Sequence, residues 1–137
     1  MLVVAMISTV ALLVWMGFFM MGSLPLLILK HDSPVDARFV RGFFNLYYIA
    51  ITLTGMVGAV SFALAARPLL AAGVAFVAAC GFIGRRRIVA DMDRLRSTMT
   101  AQDEARIRQF RRLHIGGMVG NIAMLSTFCV AMTQVRL

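Results

Sequence analysis

The chain has 137 residues, 61% of them hydrophobic and 15% charged, with a formal net charge of +8 and a mean hydropathy of +0.85. Soluble domains carry roughly 45–50% apolar and about 25% charged residues, so the apolar excess belongs in lipid. That excludes a soluble enzyme, a disordered tail and a secreted disulfide scaffold.

Met1 to Leu29 holds no charged residue. An unbroken helix over that stretch would be roughly 43 Å long, beyond a hydrocarbon core of about 30 Å. Gly22, Ser23 and Pro25 are where it bends or ends. The segment has neither the basic start nor the small-residue cleavage site of a signal peptide, so a retained first span over about 4–29 is expected.

A polar stretch follows, Lys30 to Arg38 and then Arg41, before a second span over about 43–66. Arg67-Pro68 reads as a short turn with Pro at a first helical position. The third span, about 69–87, ends in Arg85, Arg86 and Arg87, which snorkel to the interface. Beyond it Ile88, Met92, Leu95 and Met99 keep a helical spacing of four, three and four. Thr100-Ala-Gln-Asp103 reads as a capping box that opens a new helix. The apolar face of that helix (Ile107, Phe110, Leu113) leads into a fourth span over about 113–135. The predicted fold is one all-α domain, residues 1–137: a four-transmembrane-helix bundle with helices 3 and 4 extended into a cytoplasmic helical hairpin over about 85–112.

The charges set an orientation. Nine of the 14 basic residues lie between Arg85 and Arg112, and Lys30, Arg38 and Arg41 fall in the first loop, on the same side of a four-span chain. By the positive-inside rule that side is cytoplasmic and both termini are outside. Thirteen of the 14 are arginine, the bias of a GC-rich genome, which favours a bacterial cytoplasmic (inner) membrane. No nucleic-acid-binding motif accompanies the charge. Arg85, Arg86, Arg87, Arg111 and Arg112 are expected against anionic lipid headgroups instead.

All six acids, Asp32, Asp36, Asp91, Asp93, Asp103 and Glu104, lie outside the spans, which argues against a proton relay. A di-iron bundle needs four inward-facing carboxylates and fails for the same reason. There is no phosphate-binding loop, dinucleotide fingerprint, zinc-ligand spacing or serine elbow. His31 ends the first span and His114 begins the fourth, so topology puts both near one interface. A shared site is geometrically open, with Asp32 or Asp36 as third ligand. Two histidines and a carboxylate suit non-haem iron, and two imidazoles suit a b-type haem. The competing role for each is a hydrogen bond to backbone or lipid phosphate. No cofactor is the leading expectation, with haem or iron as the alternative.

Gly55, Gly58, Gly116, Gly117 and Gly120 are expected to let helices approach closely. Asn121 is the most polar group within a span, and it shares a face of the fourth helix with His114, Gly117 and Met124. Cys80 and Cys129 fall on different helices at different depths, too far apart to bridge. Trp15 is expected inside, and Tyr47 and Tyr48 in a headgroup belt.

Trp15-Met-Gly17 with Pro25, Arg38-Phe-Val-Arg-Gly-Phe-Phe-Asn-Leu-Tyr-Tyr48, Ile88-Val-Ala-Asp-Met-Asp-Arg-Leu-Arg96, and Phe110-Arg-Arg-Leu-His114 with Asn121 together resemble a small four-helix integral membrane family. That family includes an animal transmembrane protein associated with cisplatin resistance and bacterial proteins of unknown function. The family pattern places a small hydroxyl residue three positions after its histidine, where this chain has Gly117. Anthrone-oxygenase-like membrane proteins are a looser likeness. The resemblance implies a fold rather than a reaction.

The leading functional expectation is non-catalytic: an accessory or assembly subunit packing against a larger membrane complex or a copy of itself. The first alternative is an oxygenase-like or haem- or metal-binding protein using His31 and His114. The second is a binder or carrier of a small apolar molecule or metal.

Overall fold

The structure, a computed structural model, describes residues 1–31, 33–100 and 102–133. Its elements are α1 (Leu2–Leu26), α2 (Pro34–Leu64), α3 (Pro68–Gly84), a π turn (Arg85–Val89), α4 (Ala90–Thr98) and α5 (Glu104–Thr133). The described residues form no strand. Four helices are long and apolar enough to cross a bilayer: α1, α2, the run from Pro68 through Thr98, and α5. The chain is thus read as an integral membrane protein.

Pro25 lies in the last turn of α1, and the chain leaves the helix there through hydrogen bonds from the Leu27 N–H to the Ser23 and Leu24 carbonyls (3.2 and 3.1 Å). The second helix starts nine residues earlier than expected. Ser33 caps it, its hydroxyl accepting the Asp36 N–H at 3.1 Å, and Pro34 takes the first helical position. Much of the polar stretch expected as a loop is therefore the opening of α2. It carries Arg41, whose Nε and Nη2 donate to the two Asp93 oxygens at 2.8 and 2.7 Å, tying α2 to α4.

At the α2–α3 corner Ala66 adopts a left-handed φ of 57°. The Arg67 N–H bonds the Phe62 carbonyl at 3.0 Å and the Ala66 N–H bonds the Ala63 carbonyl at 3.1 Å, which closes α2 in a Schellman motif. Pro68 then opens α3 as expected. The hairpin between α4 and α5 is present, but its cap is Asp103 rather than Thr100. The Asp103 Oδ1 accepts the Arg106 N–H at 3.2 Å, while the Thr100 carbonyl accepts the Asp103 N–H at 3.1 Å. An aspartate carboxylate outcompetes a threonine hydroxyl at a helix N-terminus, where the dipole favours negative charge.

Helix α2 sits at the centre, packed closely on α1 and α3, while α5 lies mainly against α1 and only lightly against α3. Glycines make the close approaches. A Cβ at Gly55 would stand 2.9 Å from that of Ala78, and one at Gly58 would stand 3.1 Å from both Ser8 Cβ and Val74 Cγ1. On α3, Gly81 would meet Ile51 and Thr52 at 2.7 Å and Gly84 would meet Tyr48 at 2.6 Å.

Candidate functional site

The α1–α2 corner brings His31 into the bundle. Its backbone is left-handed (φ 61°), a conformation in which histidine is enriched but which is strained for any side-chain-bearing residue. Its ring is wholly buried, as is that of His114 near the start of α5. His31 Nε2 and His114 Nδ1 are 3.1 Å apart, so one nitrogen carries the shared proton and the other accepts it. Phe44 packs edge-on against His114 (centroids 5.2 Å), and Phe110 lies 5.9 Å from His31. Gly117, one turn further along α5, makes room for the Phe44 ring. The buried Ser23 hydroxyl makes no hydrogen bond with any described residue, while His114 lies against the Ser23 backbone.

Two imidazoles that bond each other directly do not flank a porphyrin, so the arrangement does not fit a haem held between them. Among the described residues no three His, Cys, Asp or Glu side chains converge. Asp32, expected as third ligand, lies outside the described residues, and Asp36 joins no such group.

Asn121 belongs to a second polar pair, about 10 Å further along α5 at seven residues of 1.5 Å each. Its Oδ1 accepts the Tyr47 hydroxyl, and its Nδ2 donates to the Met16 carbonyl at 3.2 Å. This one amide links α5 to both α1 and α2. Tyr47 stacks on Phe19 at 4.0 Å and touches Tyr48 at 5.3 Å. Both tyrosines are buried rather than in a headgroup belt, and Trp15 is only half buried. Cys80 and Cys129 are free thiols.

The light contact between α3 and α5 leaves a lengthwise groove of about 1120 Å³, bordered by Arg67 at one end and by Ile88 and Gly116 at the other. Its lining is almost wholly apolar, with the Tyr47–Asn121 pair among the few polar groups it reaches. Gly116 and Gly120, expected as a packing seam, do not pack against another helix of this chain. A Cβ at either meets no atom within 4 Å, because both face the groove. Neither His31 nor His114 lines it.

None of the five arginines expected at headgroups is ion-paired to an acid among the described residues. Asp91, Asp93, Asp103 and Glu104 are ion-paired to Arg94, Arg41 with Arg96, Arg106 and Arg108 respectively. Arg85 donates to Asn45 at 3.0 Å, Arg111 donates to the Leu27 carbonyl at 3.3 Å, and Arg86 stacks over Phe82. Arg87 and Arg112 bond no described residue.

The Tyr47 and Ser23 positions and the Arg41–Asp93 clamp escaped sequence reasoning. A Tyr pair in the middle of an apolar run was the available signal for the first. Compared with family models, curated proteins and solved structures, the chain matches none.

Proposed function

We propose that this chain is a non-catalytic membrane bundle that holds a small apolar or amphiphilic molecule in the groove between α3 and α5. The observation that carries this is the groove itself: α5 is fastened to α1 and α2 by His31–His114 and by Asn121, yet stands away from α3. Concave, mostly apolar sites with a few placed polar groups are where small molecules bind. In the orientation that the basic residues favour, the Arg85 end is cytoplasmic, both termini are outside, and the membrane is a bacterial inner membrane.

The test is native mass spectrometry of protein gently extracted from its own membrane. The expected result is a mass near 15.0 kDa plus a small-molecule increment that Gly120→Leu, which fills the groove, removes. A bare mass for the unaltered chain would overturn the reading.

An accessory or assembly role is the second reading, and the open Gly116–Gly120 edge favours it, since small residues four apart admit a partner helix. It predicts co-migration with a larger assembly or a second copy, lost in Gly120→Leu. The oxygenase-like reading through His31 and His114 draws support from their meeting, but the groove that would admit a substrate does not reach them.

A further inference from the structure

We propose that the α3–α5 groove seats an anionic diacyl phospholipid, with its phosphate between Arg87 and Arg112 and its chains lying along the groove. This rests on the reading of the groove as a small-molecule site and adds the chemical class of its occupant.

Two independent features converge. The first is shape. The groove follows the 17 residues of α3, about 25 Å at 1.5 Å per residue, so it offers an apolar trough most of the way across a hydrocarbon core of about 30 Å. The second is charge at its mouth. On α3, Val77, Cys80 and Gly84 border the groove, the π turn carries this lining on to Ile88, and Arg87 is the residue just before Ile88. On α5, Gly120 and Gly116 border it, and Arg112 is the next position toward the same end. These are the two hairpin arginines that bond no described residue, while all four hairpin acids are already matched to other arginines. A guanidinium with five donors and no local acceptor suits a phosphate. Arg87 adjoins Ile88 and Arg112 lies one turn before Gly116, the residues that border this end of the groove.

The experiment titrates the full-length protein in detergent with phosphatidylglycerol or phosphatidylcholine of identical chains and reads bound lipid by native mass spectrometry. Phosphatidylglycerol is expected to be retained preferentially, by about five-fold per arginine, or about 1 kcal/mol each. The preference should vanish in Arg87→Gln/Arg112→Gln and persist in Arg108→Gln, whose charge is already paired with Glu104. Gly120→Leu should lower retention of both lipids. Equal retention of the two lipids, or a preference unchanged in the double variant, would overturn this proposal alone. Retention of both lipids unaffected by Gly120→Leu would overturn it together with the groove reading. A second copy or a partner helix that displaces lipid from the unaltered chain would also overturn it. Circular dichroism of each variant verifies that the bundle stays helical.

Discussion

His31 and His114 are separated by 83 residues in sequence and meet at 3.1 Å through Nε2 and Nδ1. In lipid there is no hydrophobic drive to bring α5 onto the α1–α2 corner, so a buried interhelical hydrogen bond holds a larger share of the association than it would in water. His31→Ala and His114→Ala should each lower stability by about 1–2 kcal/mol. The double variant should fall short of the sum, with a coupling of about 0.6–1.7 kcal/mol. Unfolding of the detergent-solubilised protein by a denaturing detergent measures all three, and strict additivity would rule out the direct pairing.

Tyr47→Phe removes the donor to Asn121 and leaves a buried amide oxygen unsatisfied, at a cost of about 1–3 kcal/mol. Asn121→Leu removes both of its bonds and strands the Tyr47 hydroxyl. Adding Tyr47→Phe to Asn121→Leu should then be almost free, because the hydroxyl has already lost its partner. The same unfolding assay, run as a cycle, reads this directly.

The Ser23 hydroxyl is buried with no hydrogen bond to any described residue, so Ser23→Ala should be neutral or stabilising by about 1 kcal/mol. A loss of that size would show that the hydroxyl does have a structural partner.

The two classes of glycine should separate cleanly. Gly81→Ala and Gly84→Ala push a methyl into Ile51 and Tyr48 and should cost about 1–3 kcal/mol. Gly116→Ala and Gly120→Ala meet open space and gain helix propensity of up to about 1 kcal/mol. Destabilisation by the second pair would mean that the groove closes on itself.

Ala66 occupies a left-handed position that favours glycine. Ala66→Gly should raise stability by about 1 kcal/mol, since relief of the steric cost outweighs the added freedom of the unfolded chain. An unchanged or lower unfolding midpoint would count against this corner geometry.

The four apolar helices were legible because span-forming hydropathy is a sum over some twenty residues and survives errors of a few positions. The start of α2 was misread although Ser33-Pro34 is a good capping signal, because the charged residues after it resemble a loop. The meeting of His31 and His114 was legible as a topological possibility, since both sit at the same end of the bundle. Which glycines pack was legible only in part: Gly55, Gly58 and Gly117 meet neighbours as expected, but Gly116 and Gly120 do not, because packing depends on the rotation of each helix about its own axis. Gly116 and Gly120 carry the better-known spacing, yet Gly81 and Gly84 face a neighbour. Tyr47 was placed at the interface by its chemical type, whereas its ring is buried in the bundle and its hydroxyl is satisfied by Asn121. The Arg41–Asp93 pair joins residues 52 positions apart, and no local pattern announces such a partner.

The left-handed turn at His31 has a consequence for how the molecule is made. Its ring is held by a residue that the ribosome adds 83 positions later. At synthesis rates of about 5–20 residues per second, that is a delay on the order of ten seconds. Through that interval the corner between the first two helices exists without its latch, free to relax into an unstrained backbone. Helix α5 therefore sets the bend between α1 and α2, and a ribosome stalled before residue 114 would leave the α1–α2 pair inserted but unset.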